Sequence, residues 1–395
     1  MSKDRTYDVL IIGELVCSDL VLAEHLTRRG LRCCVLRRYL PDEKSETAEI
    51  TSLSAYHTHF HERDILYFKN ALDFLRVARK SRLIVSFTLS LVRALRTAWL
   101  GRHFLGLPPV VNITTGSDIA ELALEKSLRA MLYHQYLRFV DLNWCLSYPY
   151  TLKNILALKV PNVVFISFPY YLVGDKAPEK VKRETGPLRF FHPSHLDWKV
   201  NDPGAHRTSS KGNDRFIRAF ARALQEGMDA ECLILERGPD KDEARALIHS
   251  LGVEDRFVWK PHLTRDELIA ELHQADVVVD QFDVGGYGGI SVEAMSIGKP
   301  VLVYVQENCM RLVHMELPPV LNCYTEEEIY RQIMACRDRA FLQDIGKRAK
   351  EWVYKYHGWD MYLDRFLFYY TLLTGHQVVD YGWERTPYSA QETAP

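Results

Sequence analysis

Short runs of β-branched and apolar residues recur along this chain, each followed by an amphipathic stretch, and this alternation constrains the fold more than any other feature. It begins with "YDVLII", "DLVLAEHLTRRG" and "LRCCVLR" and continues through "RLIVSF", "PVVNIT", "DLNWCL" and "NVVFI". Apolar strand runs separated by helical segments mark parallel β-α units. The spacing predicts helices over about 89–104 and 118–139. A second series starts at "LRFFHPSH" and passes through "DRFIRAFARALQEG", "ECLILERG", a helix over about 242–251, "RFVWKPH" and "ADVVVDQF", with "PVLVYV" as its last strand.

Between the two series, the stretch ending "LVGDKAPEKVKRETGP" is rich in proline, glycine and charge and has no periodicity. It reads as a linker over 171–187, dividing an N-terminal domain (1–170) from a C-terminal one (188–355). A length of 395 residues is comfortable for two cores. Two capping boxes, Thr264 with Glu267 and Thr325 with Glu328, mark helix starts. Three helices are expected after the last strand, ending near Gly375. The segment "WDMYLDRFLFYYTLLTG" is apolar on more than one face, so the C-terminal helix, within about 356–395, is expected to pack back on the first domain.

Charge is balanced, 50 Lys plus Arg against 51 Asp plus Glu, which argues against nucleic acid as a partner. The N-terminal apolar run is too brief for a signal sequence or a membrane span, so a cytoplasmic protein is expected. Eight cysteines, at 17, 33, 34, 145, 232, 309, 323 and 336, form no C-x-x-C pair and read as reduced, buried thiols. His57, His59 and His61 alternate in "YHTHFHERD" and would share one face of a strand, either as zinc ligands or, as we favour, facing a cleft. The basic stretch over 76–102, with Arg76, Arg79, Lys80, Arg82, Arg93, Arg96 and Arg102 among large apolar residues, reads as a buried strand and helix with a solvated rim, or as a peripheral membrane contact.

The sequence "DVGGYGGISVEAMSIGKPVLVYV" (283–305) places five glycines between two buried strands, four of them at the carboxyl end of the first, ahead of a helix. Ligands of open parallel sheets bind there, and amides at Ile290, Ser291 and Val292 would face an anion such as a diphosphate. The dinucleotide pattern G-x-G-x-x-G fails at Ser291, and the P-loop fails because Pro300 follows Gly298-Lys299. Glu293, in the first helical turn, would repel phosphate but accept hydrogen bonds from ribose hydroxyls. The plainer alternatives are a tight turn and a dipole-stabilising glutamate.

"GGYGGISVEAMSIGKPV" resembles the signature E-G-F-G-x-x-x-x-E-A-M-A-x-G-x-P-V of the retaining, GT-B-fold glycosyltransferases of family 4. "SSKGNDRFIRAF" resembles the family's Lys-Gly step, which implies that Lys211 holds the diphosphate; "LILERGPD" resembles its Gly-x-Gly-Pro turn, reduced to Gly238-Pro239. "VEDRFVWKPHLTRDEL" would put Pro261, His262 and Leu263 near the base, and "VVNITTGSDI" resembles a Gly-Ser-Asp turn with Asp118 facing the cleft. The resemblance is strong over about 190–355 and weaker before it. It departs from the pattern twice. The first signature glutamate, which contacts the donor sugar, falls on Gly285, where backbone amides or Asp283 would have to serve; and the family's arginine after the preceding strand is missing, with Ser194, His195 and Arg207 as candidates in its place.

The resemblance implies an α/β fold of the GT-B type, two doubly wound Rossmann-like domains facing a cleft. It implies transfer of a sugar from a nucleoside diphosphate sugar to an acceptor hydroxyl, with no cofactor and no metal. Lys211, Glu293 and Asp118 would be catalytic. Donor contacts would come from Gly13, Ser194, His195, Arg207, Lys211, His262, Leu263, Gly285, Gly286, Tyr287, Gly288, Gly289, Ile290, Ser291, Val292 and Glu293. Two rivals stay open: a non-catalytic sugar-nucleotide-binding partner, suggested by Gly285, and a GT-B-fold sugar-nucleotide epimerase, which shares the architecture.

Overall fold

The computed structural model describes residues 5–13, 18–38, 65–68, 70–87, 106–114, 119, 126–167, 170, 172–174, 186–199 and 210–378. The expected helix over 89–104, His57, His59 and His61, most of the linker and the basic stretch beyond residue 87 lie outside them.

The first sheet contains β1 (Tyr7–Ile12), β2 (Cys33–Arg38), β3 (Ile65–Phe68), β4 (Ser81–Phe87), β5 (Val110–Ile113), β6 (Leu142–Cys145) and β7 (Val163–Phe165), in the order β3-β2-β1-β4-β5-β6-β7. The second contains β8 (Leu188–His192), β9 (Ala230–Leu235), β10 (Phe257–Lys260), β11 (Val277–Val279), β12 (Val301–Val303) and β13 (Leu321–Asn322), in the order β10-β9-β8-β11-β12-β13. Every pairing is parallel. The described helices are α1 (Ser18–Arg28), α2 (Ala71–Ala78), α3 (Leu128–Phe139), α4 (Pro149–Leu158), α5 (Asn213–Gln225), α6 (Lys241–Ser250), α7 (Arg265–Gln274), α8 (Gly289–Ser296), α9 (Glu307–Met310), α10 (Glu326–Ala335), α11 (Arg339–His357) and α12 (Trp359–Thr374).

Helices on both faces explain why the strands are apolar throughout rather than alternating. In β1, Val9 and Ile11 enter one core layer while Leu10 and Ile12 enter the other. In the second sheet, Phe190, Cys232 and Val277 face one layer, and Phe191, Leu233 and Val278 the opposite one. Both capping boxes form, at α7 and α10.

Two expectations need correction. The helix read over 118–139 is interrupted before α3, because the Ser127 hydroxyl accepts the Ala130 amide at 3.1 Å and starts a new helix. "PVLVYV" is not the last strand: β13 adds one more, too short to show a period, and the Asn322 side chain holds the backbone of Val305 through bonds of 2.9 and 3.2 Å. All seven described cysteines are buried.

The last helix, α12, lies in the core of the first sheet, with Tyr362, Phe366 and Tyr370 buried beside Val9, Ile11 and Trp144. Arg29 ties it down through Asp360 (2.6 Å) and Asp364 (3.3 Å), and His25 of α1 stacks on Trp359 with ring centroids 3.9 Å apart. Burial, then the neighbouring Arg28, pushes the His25 pKa down to about 4. A folded pKa below the unfolded one means that the neutral ring's contribution is complete above about pH 6.5 and is lost as the pH falls toward about 4. We therefore expect the unfolding midpoint to fall over that window. His25→Phe, which keeps the stack and removes the titration, should show a smaller fall in pH-dependent thermal unfolding; an unchanged slope would dismiss the coupling.

Candidate active site

In each sheet the strand order reverses once, between β1 and β4 and between β8 and β11, and the strand ends splay there into a crevice. At the second of these points the chain leaves β8 through His192, Pro193, Ser194 and His195, and leaves β11 through Asp280, Gln281, Phe282 and Asp283. Asp280 is buried, and its carboxylate accepts three hydrogen bonds: from the Ser194 hydroxyl (2.8 Å), the Gly288 amide (2.7 Å) and the Ser291 hydroxyl (2.6 Å). One side chain thus fixes the loop after β8 against the start of α8.

Lys211 enters from the segment before α5. Its carbonyl accepts the Phe282 amide at 2.8 Å, and its ammonium donates to the Gln281 side-chain oxygen. Gln281 in turn donates to the Gly286 carbonyl at 2.8 Å, so lysine and glycine turn share one connector. Asp283 faces away from this connector, accepting from Ser210 and pairing with Arg215.

At the start of α8, the Ser291 and Val292 amides already bond back to the Gly288 carbonyl, at 3.1 and 3.4 Å. Among the described residues it is the amides of Gly289 and Ile290 that make no backbone bond, one position earlier than the sequence alone places the open donors. The Val292 side chain is in the core. Glu293 is buried beside these donors, and its Oε2 accepts from Arg265 at 2.8 Å. Arg265 is the first residue of α7, so the pair joins α8 to the turn after β10, which carries the exposed His262 and the partly buried Leu263.

The first half of the chain reaches the glycine turn through Tyr148 and Pro149, at the start of α4. Gly285 has φ +73°, and a Cβ there would lie 2.8 Å from Pro149 Cγ; at Gly286 it would lie 2.2 Å from the Tyr148 ring. The family's glutamate therefore has no room at position 285 in this arrangement. Tyr148 donates to the Tyr287 carbonyl at 2.6 Å. The Tyr287 side chain turns away from the crevice into a buried cluster, where its hydroxyl bonds to His314 Nε2 and His357 Nε2, each at 2.8 Å. Burial pushes the Tyr148 and Tyr287 hydroxyls well above the ordinary phenol range and His314 down to about 4, so all three are neutral.

Of the remaining candidates, Asp118 and Arg207 lie outside the described residues. Gly13 sits at the reversal point of the first sheet with φ +85°, where a Cβ would lie 1.8 Å from the Phe87 carbonyl oxygen. No hydrogen bond or ion pair among the described residues links it to the second-sheet cluster. Asp280, Gln281, Arg265 and Arg237, which contacts His195, are not singled out by the sequence pattern. The only sequence trace of the first two is a polar Asp-Gln pair closing an otherwise apolar strand.

Residues 205–352 match the family described as glycosyl transferases group 1. The whole fold is of the GT-B type: it superposes on the Anabaena HepE protein solved with UDP and glucose (TM-score 0.66, 15% identity, 93% of this chain and 100% of that one). Sucrose-phosphate synthase from Thermosynechococcus elongatus gives a TM-score of 0.59 at 14% identity, again over 93% and 100% of the two chains. Among curated proteins, the chain is 33% identical over 94 residues to a 2-deoxystreptamine glucosyltransferase of Streptomyces kanamyceticus, covering 24% of each. It is 27% identical over 161 residues to a GDP-mannose-dependent alpha-(1-6)-phosphatidylinositol monomannoside mannosyltransferase of Mycobacterium tuberculosis, covering 38% of this chain and 41% of that one. The chain thus spans less than half the length of these curated relatives. Among the described residues no helix is long and apolar enough to cross a membrane.

The contact between Tyr148 and Gly286 can be measured. Gly286→Ala should cost about 1–3 kcal/mol of stability by overpacking, and clearly less in a Tyr148→Ala background. A double-mutant cycle by urea unfolding checks this, and equal costs in both backgrounds would mean that the ring does not press on the glycine.

Proposed function

We propose that the chain is a retaining hexosyltransferase that moves a sugar from a nucleoside diphosphate sugar to an acceptor hydroxyl. The observation that carries the proposal is the convergence of Lys211, the open amides of Gly289 and Ile290, and the carboxylate of Glu293 at one strand-order reversal. The first two suit a diphosphate, through a cation and a helix start. Glu293 Oε1, which carries no hydrogen bond among the described residues, suits a ribose hydroxyl. The names of the glucosyl- and mannosyltransferases support a hexose as the transferred group.

In this proposal the second half binds the donor and the first half, with Asp118, supplies the acceptor wall. The bond between the anomeric carbon and the diphosphate oxygen breaks, the acceptor oxygen bonds to that carbon on the same face, and the acceptor proton passes to the departing phosphate. Negative charge grows on the diphosphate, and Lys211 with the two amides stabilises it. The chemistry needs neither a protein nucleophile nor a divalent metal, so transfer is expected to persist in a chelator. A non-catalytic sugar-nucleotide-binding role is favoured by one observation, the absence of the first signature glutamate at Gly285; donor consumption that depends on added acceptor separates the two readings.

A thermal-shift screen across nucleoside diphosphate sugars should single out the donor by a raised unfolding midpoint; no shift with any of them would overturn the proposal. Lys211→Ala is expected to lower turnover about 10²–10³-fold, the loss typical of a transition-state charge contact, with an unchanged circular dichroism spectrum. Wild-type rates in that variant would remove Lys211 from the site. Glu293→Gln should weaken donor and free nucleoside diphosphate alike by roughly 1.5–3 kcal/mol, as calorimetry would show, whereas a change confined to the donor would move Glu293 to the sugar.

A further inference from the structure

The turn after β9 is pressed against the loop after β8. The Leu196 amide donates to the Arg237 carbonyl at 2.9 Å, and the Asp240 amide donates to the Leu196 carbonyl at 3.0 Å. Gly238, at φ +114°, lets the two backbones approach so closely that a Cβ would lie 2.4 Å from the Leu196 oxygen. This contact brings the Arg237 guanidinium onto His195 Nε2. Two nearby acids are committed elsewhere: Glu236 pairs with Arg245, and Asp240 accepts the Trp198 and Lys199 amides at 2.6 and 2.7 Å. Among the described residues Arg237 forms no ion pair, and its partial burial disfavours its charge. His195 is neutral at pH 7, its pKa lowered to about 4 by partial burial and then by the charges of Arg237 and Lys211. Two cations therefore flank one uncharged ring.

A half-exposed guanidinium without a counter-ion among the described residues is placed to pair with a bound anion. We infer that Arg237 is a second diphosphate-binding residue beside Lys211, with His195 as the neutral acceptor that orients its planar fork toward the phosphate oxygens. The inference rests on the donor site proposed above and adds a residue to it. Arg237 reaches His195 of the loop after β8 from the neighbouring strand.

Arg237→Met keeps the length and removes the charge. Calorimetry with UDP, GDP and inorganic pyrophosphate, each against wild type and variant, tests the assignment. At least tenfold weaker binding of pyrophosphate and of the preferred nucleoside diphosphate in the variant is the expected result. Unchanged nucleoside diphosphate affinity in the variant would overturn the role of Arg237 and leave the donor site standing. Pyrophosphate binding that depends on Arg237, without binding of either nucleotide, would keep the anion site and sink the sugar-nucleotide reading. Failure of all three ligands to bind wild type would sink both. If Arg237→Met does not fold, Arg237→Lys, which retains charge but loses the fork, should still bind pyrophosphate about tenfold more weakly, and equal affinity would overturn the assignment.

Discussion

A strand that pairs in parallel with its neighbour cannot be joined to it by a tight turn, so within each of the two sheets the described strands follow one another through crossovers. That constraint puts every loop at one of the two ends of a sheet. It also makes the strand-order reversal the place where adjacent connections run to opposite faces and leave a crevice. Asp280 exploits this opening: it stands at the end of β11 and reaches Ser194 after β8 and Gly288 and Ser291 ahead of α8. Because it is buried, its three donors cannot be exchanged for water without loss. The position of the open α8 amides relative to Lys211 depends on that carboxylate.

The glycine turn meets a second demand from the opposite side. Tyr148 and Pro149, on the first half of the chain, occupy the space in which side chains at positions 285 and 286 would lie. The departure from the signature at Gly285 thus has a packing cause as well as a chemical consequence, since the halves approach where the family pattern carries a carboxylate. Asp283 does not replace it, being held by Arg215 and Ser210.

The two series of β-α units, both capping boxes and the covered C-terminal helix are legible in the sequence because each is signalled within a few neighbouring residues. The break before α3 is not, since Ser127 competes with an otherwise helical period, and β13 is too short to carry a pattern at all. Lys211 and Glu293 stand out through motif spacing. Their partners do not: Asp280 meets Ser194 across 86 positions, Arg265 meets Glu293 across 28, and Arg237 meets His195 across 42. Such pairs are set by the order of strands in the sheet, which no local pattern encodes.

Tyr287 has one hydroxyl proton and two imidazole neighbours, His314 and His357, both presenting Nε2. The hydroxyl can give its proton to only one ring, so the other ring must give a proton to the hydroxyl. A ring that takes the hydroxyl proton presents a bare Nε2, and its counterpart carries hydrogen on Nε2. A directional line of protons runs from the segment after α9, through the aromatic of the glycine turn, to the end of α11. The orientation of that turn is set by a count of hydrogens as much as by shape, and reversing the line requires the hydrogen at both Nε2 atoms to change together.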